Sequence, residues 1–199
     1  MRVVLQRVLQ ASVTVGDKVV GVIGPGVCLL VGISRDDTSE DMEYMAKKVL
    51  GMRVFENSDK GNSMWAKGVQ DMGLEILCVS QFTLYAKSTK GSKPDFHEAM
   101  KAGESRQYFD SFVQRLGQLY DPAKIAVGEF GAMMKVSLVN DGPVTLQLDS
   151  RKFIYTERDP TVSAAAAAKD QRRQGFGQKQ KQANGSLQQP SEEHSLDCT

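Results

Sequence analysis

The sequence contains few of the residues that build metal centres and disulfide frameworks. Its 199 residues include three cysteines and two histidines, and no Cys-x-x-Cys pair or His/Cys cluster has the spacing of a zinc site. Cys28 and Cys78 lie in apolar runs, where unpaired cysteines are usually reduced core residues. We therefore predict no structural zinc site, and we expect no metal among the site residues and no cofactor; whether the function depends on a metal ion stays open.

Long apolar runs are also absent. No run approaches the roughly 18 consecutive apolar residues of a membrane span. The first residues, Met1–Leu5, are strand-like and lack the apolar core and cleavage site of a signal peptide. These absences lead us to expect no membrane partner and a cytoplasmic protein, with a nuclear pool left open.

Charge divides the chain into two parts. Residues 1–159 carry 20 basic and 20 acidic residues, so they lack the excess of positive charge that is typical of a nucleic-acid-binding domain. After about residue 158, large apolar residues are too rare to bury a core. We therefore predict one folded domain over residues 1–158 and a mobile, low-complexity tail over residues 159–199.

The tail has a basic segment, residues 169–182, with five basic residues and one acidic residue. Such a segment could contact DNA or another nucleic acid, bind a protein, act as a localisation signal, or only keep the chain soluble. The sequence leaves these alternatives open. Deleting residues 160–199 would separate a role of the tail from a role of the folded domain.

The apolar patterns predict many short strands and two helices. Helical periodicity covers residues 38–50, with Thr38 as the N-cap and Gly51 just past the end, and residues 104–117. Trp65 is expected in the core rather than on a base-stacking surface. Because the strands and helices do not alternate, we predict an α+β domain with an antiparallel, barrel-like β-sheet and two main packed helices.

Two short stretches stand out from these patterns. Asn140–Thr145 reads Asn-Asp-Gly-Pro-Val-Thr and has the composition of a hairpin turn between two strands. Its Gly142–Pro143 bond is of the X–Pro type, which has appreciable access to the cis form. Ser80–Leu84 reads Ser-Gln-Phe-Thr-Leu and directly follows a predicted strand. The basic loop after it, with Lys87, Lys90 and Lys93, either grips phosphate or is simply solvated.

Together the two stretches resemble the signature motifs of the D-aminoacyl-tRNA deacylases. Ser80, Phe82 and Val144 resemble the D-selective group rather than a sister group of animal deacylases that act on mischarged L-alanine. The resemblance covers about residues 1–150. It extends to Met1–Val8, Ala11–Val15 and Phe130–Ala132.

The resemblance implies a homodimer with two active sites at the subunit interface. Gly142–Pro143 would be a cis dipeptide inserted into the partner's site. The substrate would be tRNA carrying a D-amino acid on its 3′ adenosine, hydrolysed to free amino acid and tRNA. The implied catalytic residues are Ser80, Gln81, Phe82 and Thr83, and the implied substrate-binding residues are Asn140, Gly142, Pro143 and Thr145.

A rigid Gly-Pro turn suggests how chirality could be read. A backbone carbonyl placed against the substrate Cα would clash with an L side chain and tolerate the hydrogen of a D residue, which is selection by exclusion. Glycine, which has no side chain, should escape the exclusion, so glycyl-tRNA is expected to be a second substrate.

The chemistry leaves two alternatives. Ser80 or Thr83 could be a nucleophile with His97 as its base. Alternatively, the ribose 2′-OH of the substrate positions or activates water, and backbone N–H groups around Phe82 and Thr83 hold the oxyanion. In the second scheme Gln81 orients the substrate, and Phe82 packs on the adenosine or in the interface core. The competing functional classes are a nucleic-acid-binding scaffold that uses the tail and a catalytically silent dimer.

Overall fold

A computed structural model describes residues 1–57, 61, 63–89 and 91–152 of the chain. The predicted tail, residues 159–199, lies outside the described residues. The described part contains eight strands and two α-helices, together with short 3₁₀ segments. In chain order these are β1 Arg2–Val15, β2 Lys18–Ile23, β3 Gly26–Gly32, α1 Ser39–Gly51, β4 Phe55–Asn57, β5 Ser63–Lys67, β6 Glu75–Ser80, a 3₁₀ turn Phe82–Tyr85, α2 Ala102–Leu119, a 3₁₀ segment Pro122–Lys124, β7 Ile125–Val127 and β8 Lys135–Asp149.

The main sheet has six strands in the order β2-β1-β3-β6-β7, with β8 paired to β1. The predicted α+β class and the two helices are confirmed. The sheet is mixed rather than antiparallel throughout, because β6 runs parallel to both β3 and β7. Between β3 and β6 the chain crosses over through α1 and the β4–β5 pair, and such a crossover returns the chain in the same direction.

The sheet curls into a nearly closed barrel. Its two ends meet where β2 approaches β7, and the backbone at Gly21 lies so close that a Cβ there would be 2.5 Å from the Val127 carbonyl oxygen. β3 has apolar side chains buried on both of its faces, as its uninterrupted apolar run predicts. Val27, Leu29 and Val31 belong to one buried cluster, and Cys28 belongs to a second.

The helices cover one face of this sheet. Buried residues of α1 and α2, among them Met45 and Phe112, pack with strand residues in one hydrophobic cluster. Thr38 is the N-cap of α1, and its backbone N–H donates to the Asp41 carboxylate at 2.9 Å, as in a capping box. Gly51 is the last residue of α1 rather than the residue beyond it, because the helix ends on an extended Met52.

Several core assignments can be checked directly. Cys28 and Cys78 are buried and unpaired, and burial raises the pKa of the Cys28 thiol to about 11. Trp65 is 51% exposed, so its predicted place in the core is wrong. It lies on β5, which pairs with β4 in a separate two-stranded sheet. No helix among the described residues is long and apolar enough to cross a membrane.

Candidate active site

The stretch Asn140–Thr145 forms a bulge within one strand, so the predicted hairpin turn is wrong. β8 runs antiparallel to β1, with Val8 opposite Asn140 and Arg7 opposite Val144. Three residues, 141–143, therefore leave the ladder between two adjacent positions of β1. The chain does not reverse, because both halves of β8 pair with the same neighbouring strand.

The tip of this bulge is Gly142–Pro143. The peptide bond between them is cis, as the resemblance implies. Gly142 has a φ of +116°, a conformation that residues with a Cβ rarely adopt. Both residues are exposed, as are the flanking Asn140 and Thr145. The bulge therefore presents main chain, rather than large side chains, to whatever lies in front of it.

Arg7 anchors the base of the bulge. Its Nε donates to the Asp141 carbonyl oxygen at 3.2 Å and lies 3.1 Å from the Asp141 carboxylate. Its Nη1 donates to the Val54 carbonyl oxygen at 2.6 Å, and the side chain is only 12% exposed. Sequence reasoning gave Arg7 no role in the site. The available signal was an arginine at the position where the alternation of Val3 and Leu5 predicts another apolar side chain.

The other motif, Ser80–Leu84, turns away from the end of β6. The Gln81 N–H donates to the Val31 carbonyl oxygen at 2.7 Å, and the 3₁₀ turn begins with the next residue. The turn lies directly on β3 at Gly32. A Cβ on Gly32 would lie 2.8 Å from the Leu84 Cβ and 3.0 Å from the Gln81 carbonyl oxygen, so only glycine permits this approach.

The 3₁₀ turn has one side-chain hydrogen bond at its start and, among the described residues, two free backbone N–H groups. Gln81 Nε2 donates to the Thr83 hydroxyl oxygen at 2.6 Å. Within the described part of the chain, no hydrogen bond uses the backbone N–H of Phe82 or Thr83. These are the first two residues of the turn, where N–H groups have no acceptor within the helix. Two backbone donors thus remain available for an external oxygen.

A pocket of about 430 Å³ opens beside this turn. Its walls are mainly apolar, and they include Val31, Ile33, Phe82, Phe96, Met100 and Phe130. Phe82 is 56% exposed and stands edge-to-face against Phe96, with ring centroids 5.0 Å apart. The polar lining comes from Ser80, Gln81, Lys101 and Ser105. An apolar cavity of this size with a few polar groups is typical of a small-ligand site.

His97 does not line this pocket, although the preceding Phe96 does. Its Nδ1 contacts the Asp95 carboxylate, and its Nε2 lies 2.9 Å from the Glu98 carboxylate. Hydrogen bonds from His97 hold the pKa of Asp95 below its usual value, and the bond from Lys87 does the same for Glu98. The structure therefore does not bring His97 to Ser80 or Thr83 as a base.

The basic loop after the motif is only partly available to a ligand. Lys87 is paired with Glu98 at 2.9 Å, and Lys93 is exposed. Lys90 lies outside the described residues.

Within one chain the two motifs are far apart. β8, β1, β3 and β6 lie side by side, so three interstrand spacings separate the bulge from Ser80. Along the strands, the bulge lies level with Arg7 and Val8, whereas Ser80 lies level with Val31 and therefore with Val3. With strands about 4.8 Å apart and a rise of about 3.3 Å per residue, the separation is on the order of 20 Å. One chain therefore does not bring its own bulge to its own pocket.

Comparisons with known proteins agree with one another. The family model described as D-Tyr-tRNA(Tyr) deacylase matches residues 4–149. A D-aminoacyl-tRNA deacylase of Drosophila melanogaster is 52% identical over 159 residues, which cover 80% of this chain and 98% of the relative. D-aminoacyl-tRNA deacylase 1 of Homo sapiens is 44% identical over 174 residues, or 87% of this chain and 82% of that protein.

Two solved structures share the fold. One, named c-Myc DNA Unwinding Element Binding Protein, is 48% identical with a TM-score of 0.72 and covers 75% of this chain and 98% of its own. The second, described as a probable eukaryotic D-amino acid tRNA deacylase, is 22% identical with a TM-score of 0.63. It covers 74% of this chain and 98% of its own, and it supports the fold alone.

The close contact at Gly32 can be tested by substitution. Gly32→Ala is expected to lower the free energy of unfolding by about 1–3 kcal/mol, because the added methyl group must push the 3₁₀ turn off β3. Urea denaturation measures the change. Gly51→Ala is the matched control, since no atom lies within 4 Å of a Cβ there, and it should be neutral or stabilise by up to about 1 kcal/mol. Equal effects of the two substitutions would contradict the proposed contact.

Proposed function

The chain belongs to the D-Tyr-tRNA(Tyr) deacylase family, and from this premise we propose that it hydrolyses the ester bond of D-aminoacyl-tRNA to free amino acid and tRNA. The observation that carries the proposal is the 52% identity to a D-aminoacyl-tRNA deacylase over 98% of that relative's length. Both motifs lie within the matched residues, and one of them borders a pocket with free backbone donors. The reaction would be chiral proofreading of charged tRNA.

The pocket can hold the 3′ end of such a substrate. The exposed Phe82 and the half-buried Phe96 line the pocket with aromatic surface on which an adenine could stack. Ser80 and Gln81 line the same pocket and can bond the ribose or the ester. The backbone N–H groups of Phe82 and Thr83 would bind the oxyanion that forms during ester hydrolysis. These roles make Ser80, Gln81, Phe82 and Thr83 the proposed catalytic residues.

The second part of the site would come from a second copy of the chain. The bulge is too far from its own pocket, whereas exposed apolar side chains lie beside it and farther along β1, β2 and β8. These include Leu9, Val22, Val136 and Val139, and Val139 directly precedes the motif. An exposed apolar group of this kind marks an interaction surface. A homodimer formed near it would let each bulge reach the partner's pocket.

In that dimer the bulge would select the substrate by chirality. Gly142 and Pro143 are held by the Arg7–Asp141 contacts and expose main chain, which relaxes less readily than a side chain. Placed against the substrate Cα, this main chain would exclude an L side chain and admit a D residue or glycine. Asn140 and Thr145 flank the bulge and would contact the substrate beside it.

The stereochemical proposal predicts three rates. D-tyrosyl-tRNA should be cleaved, L-tyrosyl-tRNA should stay intact at the same enzyme concentration, and glycyl-tRNA should be cleaved at higher concentration because it offers no side chain to exclude. The measurement is the fraction of tRNA that stays charged over time, with spontaneous hydrolysis subtracted from a sample without enzyme. Equal rates on the two tyrosyl substrates, or intact glycyl-tRNA beside rapid D-tyrosyl cleavage, would contradict the exclusion model.

A shared site predicts that chirality can be restored in trans. Gly142→Ala should allow cleavage of L-tyrosyl-tRNA. The added Cβ would lie 3.0 Å from Val144 Cγ2 at a φ of +116°, so the bulge must shift and would no longer exclude the L side chain. Ala102→Trp should be inactive. Ala102 lines the pocket and is exposed, so a tryptophan there can be accommodated without disturbing the core, and its indole would fill the pocket. Adding excess Ala102→Trp chains should draw Gly142→Ala chains into mixed dimers. In these dimers the open pocket of the Gly142→Ala chain faces the unaltered bulge of the Ala102→Trp chain. The L-tyrosyl activity should then fall while D-tyrosyl activity remains.

The controls for this mixing experiment are simple. Excess of a chain that carries both substitutions should leave the L-tyrosyl activity unchanged, because its bulge is also altered. If excess Ala102→Trp chains also leave the L-tyrosyl activity unchanged although mixed dimers are isolated, each bulge serves its own chain and the shared site is wrong.

Hydrolysis driven by the substrate's own 2′-OH is the chemistry that the site favours. Thr83 already accepts a hydrogen bond from Gln81, and His97, which does not line the pocket, is held between two carboxylates. Thr83→Ala should therefore reduce kcat/KM by less than about tenfold, whereas loss of a true nucleophile costs several orders of magnitude. Tyrosyl-tRNA with a 2′-deoxy terminus should be a poor substrate. Rapid cleavage of the 2′-deoxy ester, or an inactive Thr83→Ala with normal folding, would favour the nucleophile.

Roles of residues 159–199 stay predictions. The 48%-identical structure carries the name of a DNA-binding protein, and this is the observation that keeps DNA binding as a second candidate function. A DNA or protein partner of this segment and a nuclear pool of the protein rest on its sequence alone.

A further inference from the structure

The first turn of α2 forms one wall of the pocket. This wall carries polar groups, whereas the wall with Phe82 and Phe96 is aromatic. Lys101, Ala102 and Ser105 line the pocket at this end. Lys101 is the N-cap residue, and its side chain makes no capping hydrogen bond. The backbone N–H groups of residues 102–104 have no acceptor among the described residues. An 18-residue helix therefore directs unpaired N–H groups and the positive end of its dipole towards the pocket.

Ser105 provides independent evidence that a ligand belongs there. The residue is only 8% exposed and lines the pocket, and its hydroxyl makes no hydrogen bond to any described residue. Ser111, on the same helix, shows the usual alternative, because its hydroxyl donates to the Gln107 carbonyl oxygen at 2.8 Å. Its oxygen is not one of the fully enclosed, unpaired side-chain atoms of the described residues, so it opens onto the pocket. A ligand atom in the pocket would therefore meet an unpaired hydroxyl group there.

The positive charge of Lys101 makes this wall of the pocket favourable for an anionic ligand. Lys101 is exposed and forms no ion pair within the described part of the chain. Glu104 is the acid in the first turn of α2, but it does not line the pocket. Glu98, on the loop that leads to α2, is already engaged by Lys87, Arg35 and His97. A cationic group, such as the ammonium of an amino acid, would be repelled from this wall.

We propose that Lys101, Ser105 and the N-terminus of α2 bind the phosphodiester that joins the terminal adenosine of tRNA to the nucleotide before it. This proposal rests on the proposed function. The 3′ oxygen and the 5′ phosphate leave opposite sides of the ribose. A nucleotide whose ester lies at Phe82 and Thr83 and whose base lies on the aromatic wall therefore presents its phosphate to another wall of the pocket. Helix N-termini and lysine are a common combination for binding phosphate groups.

Two small substrates separate phosphate binding from hydrolysis. One is the 3′ D-tyrosyl ester of adenosine, which has no phosphate, and the other is the same ester of the dinucleotide cytidylyl-adenosine, which has the phosphodiester. Lys101→Gln should lower kcat/KM for the dinucleotide ester by about tenfold and leave the adenosine ester unchanged. Ser105→Ala should do the same to a smaller extent. Chromatography of the released nucleoside and dinucleotide measures both rates.

The matched control is Lys48→Gln, which removes an exposed lysine of α1 that does not line the pocket. It should change neither rate. The proposal is overturned if Lys101→Gln and Ser105→Ala slow both esters equally, since they would then act on the shape of the pocket, or if they slow neither. Failure of the proposed function would look different, because the unmodified protein would cleave neither ester.

Discussion

The hydrogen-bond register of β1 sets the positions of the bulge and, through β3, of the strand end at which the 3₁₀ turn begins. Its first half pairs with β3 on one edge, its second half pairs with β2, and β8 follows it on the opposite edge. β3 in turn fixes the register of β6, at whose end the 3₁₀ turn begins. A shift of one residue would turn each side chain to the other face of the sheet and move the buried Val3 and Leu5 of β1 out of the core, so their burial holds this register firmly. The bulge and the pocket are therefore rigidly placed and rigidly separated.

Under the proposed function, that separation means that one chain carries only half of each site. The bulge supplies main chain without a free titratable group, because Asp141 is bound to Arg7 through its carbonyl and its carboxylate. The pocket supplies donors, from the free N–H groups of the 3₁₀ turn to the first turn of α2. Donors suit the oxyanion and phosphate of an ester substrate, whereas rigid main chain suits the exclusion of a side chain. Dimer formation would bring these complementary halves together.

The sequence predicted most of the fold and named both motifs, but not how the motifs are arranged. Local signals sufficed for Thr38 as a cap and for the existence of the two helices, because residues close in the chain determine these features. The hairpin prediction failed because Asn, Asp, Gly and Pro favour a turn and a bulge equally. Which one forms depends on whether the flanking strands pair with each other or with a third strand. The exposure of Trp65 likewise depends on where the β4–β5 sheet lies.

The residues that sequence reasoning missed share one property, which is that their roles arise from partners distant in the chain. Arg7 meets Asp141 and Val54, and Ser105 meets the pocket beside β3 and the 3₁₀ turn. Each is locally unusual. Arg7 is a cation where the alternation of strand β1 predicts an apolar side chain, and Ser105 lies in α2 without the usual hydrogen bond from its hydroxyl to the preceding turn. Such departures are costly unless something compensates for them. For Arg7 the compensation is the bulge, whereas the Ser105 hydroxyl opens onto the pocket, where water or the proposed phosphate group can pair with it.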